Sequence, residues 1–532
     1  MQEASADTGR ITRSAGVVGI AVLASRLLGL VREQVFASLF GAGYAYDAFV
    51  VAFRIPNLLR DLFAEGALSS AFVTVFADSS RNRGEAATWR LANNVLVAVA
   101  LLLVLITGLG MLAARPLVLA LAPDFAAVAD KVSLTSRLAR IMMPFLISIS
   151  LAAVVMGILN SRGRFFVPAL ASSFFNLGSV LVGVGCAALM PALGQPAIAG
   201  MAVGTLAGGL LQLGVQLPSL ARCGFPWQPL LDLADPGLRR VFRLMLPAVV
   251  GLSATQLNIF INTNFAASCA EGSVSWLNYA FRLVQFPIGL FGVALAVATL
   301  PVVAHHAAAR DFASLKSSLV SSLTVGLCLT VPATVGLMTL AEPVVRVIFQ
   351  HGAFTAADTA MTTQALRLYC LGLFAYAAVK TIVPVFYALD DTRFPVLGSF
   401  LAVAANITIN LVLIERLQHR SVALATSGAM TLNCLFLCLV LTRKLGGLGW
   451  GYLGRGLAKI ATAAGLMAGW LAVAFSWWGP AAGQGLLAEI LFLILAIASA
   501  GLVYGVTLYL LGLAELTLLA DRLRARLGRR AL

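Results

Sequence analysis

The sequence predicts an all-α integral membrane protein, because it is too apolar for a water-soluble fold and its apolar residues form long runs. Of its 532 residues, 60% are hydrophobic and only 11% are charged. Soluble domains contain roughly 45–50% apolar and about 25% charged residues. The apolar runs, such as residues 94–114 and 486–513, are continuous rather than alternating. Continuous runs of this length favour membrane-spanning helices over a β-barrel.

About fourteen apolar segments are long enough to cross a bilayer, since about 20 helical residues span roughly 30 Å of hydrocarbon. The predicted spans are 14–38, 45–77, 88–113, 132–159, 166–190, 197–220, 240–266, 273–304, 314–341, 362–389, 395–415, 422–442, 456–478 and 485–516. An even number of spans places both termini on one side. The positive-inside rule makes that side the cytoplasm. With this orientation only a few basic residues fall in the outer connections: Arg115, Lys131, Arg346, Arg416 and Arg420.

A weak internal repeat predicts two parallel six-helix lobes followed by a C-terminal helix pair. Residues 52–54 (Ala-Phe-Arg) repeat at 280–282, an offset of 228 positions (280 − 52), which places the second span on the eighth. Parallel repeats are one known way to build a transporter. The predicted domains are a cytoplasmic N-terminus (1–13), an N-lobe (14–220), a cytoplasmic linker (221–239), a C-lobe (240–444), spans 13 and 14 (445–516) and a basic cytoplasmic tail (517–532).

Two local patterns carry predictions of their own. Gly204 and Gly208 form a GxxxG motif, which we interpret as a site of helix packing within the chain rather than a dimer face. Residues 341–359 are too short and too polar for a further span. They are expected to form a short helix at the outer surface.

Charged side chains occur inside the predicted spans, where an ionised group costs at least about 2.5–3.5 kcal/mol. Such residues usually face a water-filled cavity or a partner of opposite charge. The charged residues in the first, second and eighth spans are Arg26, Arg32, Glu33, Asp47, Arg54, Arg60, Asp61, Glu65 and Arg282.

Helical spacing sorts the charges of the second span. Arg54, Asp61 and Glu65 follow one another at intervals of seven and four residues and are expected to form one polar stripe. Arg60 lies about 100° from Asp61 on the helical wheel and is predicted to point away from that stripe. Two interpretations of the stripe remain open, a set of internal ion pairs that orients the helices or a lining of the transport cavity. Pro56 is expected to kink this helix.

The preference for arginine over lysine in these spans points to a substrate that carries phosphate. A guanidinium group is planar and binds phosphate oxygens in a bidentate manner, whereas an ammonium group acts as a point charge. Arg282 has no acidic residue within one turn of its own helix. A cavity lined by Arg32, Arg60 and Arg282 would therefore favour a phosphate or pyrophosphate group.

Three segments resemble the bacterial lipid II flippases, the MurJ (MviN) family. They are residues 25–72, residues 272–301 and the sequence FQHGAFT at 349–355, which occur in the order expected for that family. The resemblance implies a multidrug/oligosaccharidyl-lipid/polysaccharide exporter fold in which spans 13 and 14 line a groove for a polyprenyl tail. It also implies a multi-pass protein of the bacterial cytoplasmic membrane that moves lipid II from the inner to the outer leaflet.

The resemblance also assigns roles to individual residues. Arg32, Arg60 and Arg282 match the essential cavity arginines of the family, and Arg26 and Asp47 match other functionally important positions. The resemblance thus implies that all five bind the substrate in the cavity. The supporting cavity residues are expected to be Ser25, Glu33, Arg54, Asn57, Asp61, Glu65 and Gln285. Relatives carry acidic residues at the positions of Phe281 and Gln285, so this chain departs from the family pattern next to Arg282.

The expected mechanism is alternating access through a cationic central cavity. The sequence contains no GxxxxGK[ST] motif, which predicts a transporter rather than an ATPase and no cofactor. Either the membrane potential or a monovalent ion would then supply the energy. Expected partners are lipid II, membrane lipids and cell-wall synthesis or division proteins, and no nucleic acid. Two alternatives remain open, a cation-coupled multidrug exporter of the same superfamily and a non-transporting membrane scaffold for cell-wall synthesis.

Overall fold

The computed structural model describes residues 2–62, 68–479, 485–513 and 515. Within these residues the regular structure is helical throughout, so the predicted all-α fold class is confirmed. Glu65 and the predicted basic tail (517–532) lie outside the described residues.

The helices form two compact units, Met1–Ser275 and Trp276–Leu532. The first unit contains α1 (Gln2–Phe40), α2 (Tyr44–Arg60), α3 (Ser69–Asn82), α4 (Gly84–Leu112), α5 (Ala114–Leu121), α6 (Lys131–Met142), α7 (Phe145–Ser161), α8 (Phe166–Leu189), α9 (Ile198–Gly214), α10 (Leu217–Ala221), α11 (Pro236–Ala267) and the first turn of α12 (Ser273–Pro287). The division falls inside α12, whereas the sequence places the limit between lobes in the 221–239 connection. The limits of the six-helix lobes stay a prediction.

The second unit continues α12 through a π-helical turn (Ile288–Gly292) into α13 (Val293–Ala308). The remaining helices are α14 (Phe312–Thr339), α15 (Ala341–Phe349), α16 (Ala356–Cys370), α17 (Leu373–Ala388), α18 (Arg393–Leu417), α19 (His419–Leu445), α20 (Trp450–Trp478) and α21 (Leu486–Leu510). The short helix predicted after residue 341 is confirmed as α15, and α16 begins before the end of that segment.

Ten helical stretches among the described residues are long and apolar enough to cross a membrane. Two further pairs, 236–249 with 251–267 and 356–370 with 373–388, qualify as spans bent by 48° and 41°, which raises the number to twelve. Each of the fourteen predicted spans contains helix. The count of fourteen membrane crossings itself stays a prediction.

The first unit is packed around a core between α3, α4, α7 and the start of α11. Phe72, Val95, Ile158 and Val241 are at the centre of this core and are fully buried. Next to it, α8 and α9 approach so closely that a Cβ atom at Gly204 would lie 2.4 Å from the Cα of Gly183. The GxxxG motif is thus used for packing inside the chain, as the sequence predicts.

The second unit contains two apolar clusters that share α14. One cluster joins α14 to α13, α17 and α19, and the other joins it to α20 and α21. The hydroxyl of Tyr504 on α21 donates a hydrogen bond to the carbonyl oxygen of Cys328 on α14 (2.7 Å). The start of α16 is fixed by a capping box in which Thr355 and Asp358 satisfy each other's backbone N–H groups. The two apolar clusters and the hydrogen bond from Tyr504 to Cys328 make α14 the central helix of the unit.

Candidate functional site

The end of α1 and the start of α2 hold a buried polar group that contains Arg32. The guanidinium Nη2 of Arg32 donates to Oε1 of Glu33 at 2.9 Å, and the hydroxyl of Tyr46 donates to Oε2 of the same carboxylate at 2.5 Å. Glu33 is 3% exposed and Arg32 is 11% exposed. A buried carboxylate needs such partners, because burying an unpaired charge is costly. Glu33 therefore holds Arg32 against α2 through Tyr46.

The rest of the Arg32 guanidinium group remains able to donate hydrogen bonds. Its Nε atom is buried and has no hydrogen-bond partner in the ranges that the structure describes. Its Cζ atom lies 5.3 Å from the ring centroid of Phe175 on α8. An arginine has five N–H donors, and the bond to Glu33 uses only one of them. Arg32 can thus keep its pair with Glu33 and still bind a second anion.

Arg60 forms an ion pair with the residue next to it, at the end of α2. Its Nε and Nη2 atoms lie 3.1 and 2.8 Å from Oδ1 of Asp61. The sequence prediction that Arg60 points away from Asp61 is therefore wrong. The helical wheel places Cβ atoms, whereas the long arginine side chain bends back to the carboxylate. Both side chains are about a quarter exposed, at 22% and 24%, so the pair is accessible to a ligand.

The other predicted residues of α1 and α2 are half-buried. These are Ser25, Arg26, Arg54 and Asn57. The carbonyl oxygen of Ser25 accepts a hydrogen bond from Asn176 of α8 at 3.1 Å, which fixes α1 against α8. The helix continues through Pro56 as far as Arg60, and its regular α-helical pattern ends at Asp61. The regular helix is thus interrupted after Pro56, where the sequence predicts a kink, and beside the Arg60–Asp61 pair.

Asp47 is enclosed by protein on all sides and is only 2% exposed. Its Oδ1 accepts hydrogen bonds from the backbone N–H (3.0 Å) and the hydroxyl (2.6 Å) of Ser275, and its Oδ2 accepts one from the N–H of Gly272 (2.9 Å). These donors belong to the first turn of α12 and the residue before it. Asp47 therefore caps α12 in this structure. This is a positioning role, different from the substrate contact that the sequence prediction gave it.

Lys131, which the sequence analysis assigned to an outer connection, is the cation that balances Asp47. Its Nζ lies 3.2 Å from Oδ2 of Asp47 and 4.3 Å from the ring centroid of Phe125. Its side chain is 2% exposed and begins α6. No sequence signal separates this lysine from an ordinary loop residue, because its partner is distant in the chain.

Arg282 lies half-buried on α12 in the second unit. Its Nη1 donates to Oε1 of Gln285, one helical turn further on, at 3.4 Å. The preceding residue, Phe281, packs against the rings of Tyr369 and Tyr376, at centroid distances of 5.3 and 6.5 Å. Of the two positions at which the family resemblance leads us to expect acidic residues, Gln285 is thus a neutral partner of Arg282 and Phe281 is a member of an aromatic cluster.

The chemistry that this site offers is hydrogen-bond donation to an anion. In the part of the chain that the structure describes, no group of three or more His, Cys, Asp and Glu side chains could hold a metal ion. The carboxylates of Glu33, Asp47 and Asp61 already contact cations of the chain. Arginine side chains that keep unused donors are suited to binding phosphate oxygens.

Comparisons with known proteins agree on one family. The family profile described as "Lipid II flippase MurJ" matches residues 36–493. The "Lipid II flippase MurJ" of Burkholderia cenocepacia is 35% identical over 468 residues, which is 86% of this chain and 89% of that protein. The "Probable lipid II flippase MurJ" of Rhizobium tropici is 34% identical over 519 residues, or 96% of both chains.

Solved structures give the same result at the level of the fold. A lipid II flippase MurJ in an inward closed conformation matches with a TM-score of 0.75 and 26% identity, covering 91% of this chain and 97% of that one. An inward-facing MATE family multidrug transporter of the MOP superfamily matches with a TM-score of 0.66 but only 15% identity, covering 80% and 95%, and so shares the fold alone. The profile match and the full-length relatives show that this chain belongs to the lipid II flippase MurJ family.

Proposed function

We propose that the chain moves lipid II from the inner to the outer leaflet of the bacterial cytoplasmic membrane. The pyrophosphate of the head group binds to Arg32, Arg60 and Arg282 during transport, and the polyprenyl tail stays in the lipid. The observation that carries this proposal is the state of Arg32, whose side chain is held in place by Glu33 while its buried Nε has no hydrogen-bond partner among the described residues.

The ion pairs in the site fit a carrier that must release its substrate. Arg32 contacts the carboxylate of Glu33 and Arg60 contacts that of Asp61, so an incoming pyrophosphate competes with an anion that is already present. This competition weakens binding relative to an unpaired guanidinium group and limits the cost of the empty site, because Arg32 and Arg60 each keep a counter-charge. Asp61 is about a quarter exposed and can move aside, whereas Glu33 is fixed by Tyr46.

The orientation of the chain follows from its loop charges. With both termini in the cytoplasm, the basic connections lie inside, as the positive-inside rule requires. Ser25 and Arg26 lie on α1 and Arg54 and Asn57 lie on α2, and we assign them a supporting role in the cavity. Transport without ATP hydrolysis by this chain requires another source of energy, and we favour the membrane potential.

The proposal is tested in cells depleted of their own flippase, with the precursor in the outer leaflet measured by its cleavage by an added external enzyme. Arg60→Ala and Arg282→Ala are each expected to abolish outer-leaflet precursor and cell rescue while the protein still reaches the membrane. Arg416→Ala, which changes an exposed arginine at the end of α18, is the matched control and should rescue fully. Full rescue by both site variants would contradict the proposal and favour the scaffold alternative.

A further inference from the structure

The connection between α10 and α11 is clamped to α4 by two adjacent asparagines. We call residues 225–233 of this connection the strap. Asn93 donates to the carbonyl oxygen of Pro226 (2.8 Å) and accepts from the N–H of Gln228 (3.0 Å). Asn94 donates to the carbonyl oxygen of Asp232 (2.8 Å) and accepts from its N–H (2.9 Å). Both asparagines are at most 1% exposed, so the backbone of the strap is held in one place.

The side chains of the strap divide into one that is packed and several that are exposed. Phe225 lies with its ring centroid 5.6 Å from that of Trp89, in an edge-to-face arrangement. In contrast, Trp227 is 63% exposed, Leu231 is 47% exposed and Leu233 is 65% exposed. Because the backbone of the strap is fixed, these apolar side chains stay exposed. They indicate a contact surface for an apolar or amphipathic partner.

The helices that hold the strap place it at the edge of the bilayer. The last charged residue of α4 is Arg90, one turn before the two asparagines, and no charged residue follows as far as Leu112. In α11 the charges end at Arg243, and no charged residue follows as far as Ala267. The strap therefore lies where both helices change from charged to apolar. Tryptophan prefers this membrane–water interface.

The charges around the strap are mostly positive. Exposed arginines flank it at 222, 239, 240 and 243. The nearby acidic residues are already engaged. Asp232 of the strap lies 3.9 Å from the guanidinium group of Arg90, Asp235 caps α11 through the N–H of Leu238 (2.9 Å), and Asp78 forms an ion pair with Arg240. Basic residues beside exposed apolar side chains are the combination that binds anionic membrane surfaces.

We propose that the strap and its flanking arginines form a binding surface for anionic phospholipids of the leaflet next to it. Trp227, Leu231 and Leu233 insert between the acyl chains at the interface, and Arg239 and Arg243 bind the headgroup phosphates. The surface belongs entirely to the first unit and is independent of the arginines assigned to lipid II. Its occupant is a membrane lipid of the bilayer and not a transported molecule.

The proposal is tested by fluorescence quenching in the full-length protein reconstituted with brominated lipids. Brominated phosphatidylglycerol and brominated phosphatidylcholine are compared at the same mole fraction. The part of the quenching that disappears in Trp227→Phe reports on Trp227 alone. Phosphatidylglycerol is expected to quench Trp227 at least about twofold more strongly than phosphatidylcholine, because basic residues concentrate anionic lipid beside them. In Arg239→Gln/Arg243→Gln the ratio should fall to about one.

Two controls separate headgroup recognition from simple immersion in lipid. Arg416→Gln should leave the ratio at Trp227 unchanged. Trp477 is 77% exposed, and the sequence contains no Lys or Arg between Lys459 and Arg522, so both lipids should quench it equally. Absence of quenching at Trp227 would place the strap against water or another protein and overturn the proposal. Equal quenching by the two lipids that is unaffected by the arginine substitutions would also overturn it.

Discussion

At the scale of single residues, the geometry of Arg32 explains why an arginine is needed there. One N–H of its guanidinium group is bound to Glu33, and the group still has donors that point in other directions. A lysine in the same position would have a single nitrogen and could not hold Glu33 and a phosphate with the same fixed angles. The charge of the residue is therefore less important than its shape.

We expect Arg32→Lys to fail although it keeps the positive charge. Losing one charge-assisted hydrogen bond costs about 1.5–3 kcal/mol, which corresponds to about tenfold or more in affinity for the transported anion. The measurement is the amount of precursor in the outer leaflet of flippase-depleted cells that express the variant. Arg416→Lys, on an exposed turn of α18, is the matched control. Full activity of Arg32→Lys would mean that charge alone suffices at this position.

A second residue-scale prediction concerns the buried Asp47–Lys131 pair. Removing one partner of a buried ion pair costs about 3–5 kcal/mol, because the other charge remains buried, whereas removing both costs much less. We therefore expect Lys131→Met to lower the midpoint of thermal unfolding strongly, and Asp47→Asn/Lys131→Met to recover part of the loss. Lys316→Met, on α14 in the second unit, should change little.

The measurement is tryptophan fluorescence of the purified protein during heating in detergent. Recovery in the double variant would show that the two side chains act as a pair. If the double variant were instead no more stable than Lys131→Met, Lys131 would stabilise the fold by some route other than its charge on Asp47.

At the scale of helices, the sequence predicts where the helices occur but not where they break. Each of the fourteen predicted apolar segments contains helix, because burial in hydrocarbon requires a continuous apolar stretch with internally paired backbone groups. They do not predict the end of regular α-helix at Asp61, beyond Pro56, or the π-helical turn 288–292. Such local changes depend on neighbouring helices, and hydropathy carries no information about them.

The same limit applies to the polar partners of the site. The arginines are visible in the sequence because charges are rare in apolar segments. Tyr46 and Lys131 are not, because their partners Glu33 and Asp47 are brought to them only by the α1–α2 turn and by the packing of α6 on α2. Short-range spacing also gave the wrong result for Arg60 and Asp61, since side-chain length matters more than the helical wheel between adjacent residues.

The packing of α8 on α9 allows a matched pair of glycine substitutions. A Cβ at Gly204 would lie 2.4 Å from the Cα of Gly183 and 2.5 Å from the carbonyl oxygen of Ser179, both backbone atoms that cannot move alone. At Gly185 on α8, nothing lies within 4 Å of the added atom. Gly204→Ala should therefore destabilise the protein by about 1–3 kcal/mol through overpacking. Gly185→Ala should be neutral or stabilising by up to about 1 kcal/mol.

Thermal unfolding of the two purified variants in the same detergent measures this difference. The substitution is chemically the same in both, so helix propensity contributes equally. A Gly204→Ala variant as stable as Gly185→Ala would mean that α8 and α9 can separate at no cost, contrary to their close approach in the structure.

At the scale of the whole molecule, basic residues outnumber acidic ones in the spans that carry the predicted site, because the first, second and eighth spans together contain five arginines and four carboxylates. Glu33 contacts Arg32, Asp61 contacts Arg60, and Asp47 contacts Lys131 at the start of α6. Arg282 is the only charged residue of the sequence between Ser273 and Ala308, if the histidines are neutral. A carrier whose empty state is positive inside the membrane is drawn toward the negative cytoplasm after it releases an anionic substrate.

We therefore expect the membrane potential to set the rate of flipping. Moving one elementary charge through 100 mV changes the free energy by about 2.3 kcal/mol, so even partial movement of the charge of Arg282 changes the rate severalfold. The test is lipid II flipping in proteoliposomes in which a potassium diffusion potential, negative on the cytoplasmic side, is imposed or abolished at constant pH and sodium. Flipping should slow severalfold when the potential is abolished. Any activity that Arg282→Gln retains should no longer depend on the potential, whereas Arg416→Gln should respond like the unaltered protein. If the flipping rate did not depend on the potential but did depend on an imposed sodium or proton gradient, ion coupling would replace this mechanism.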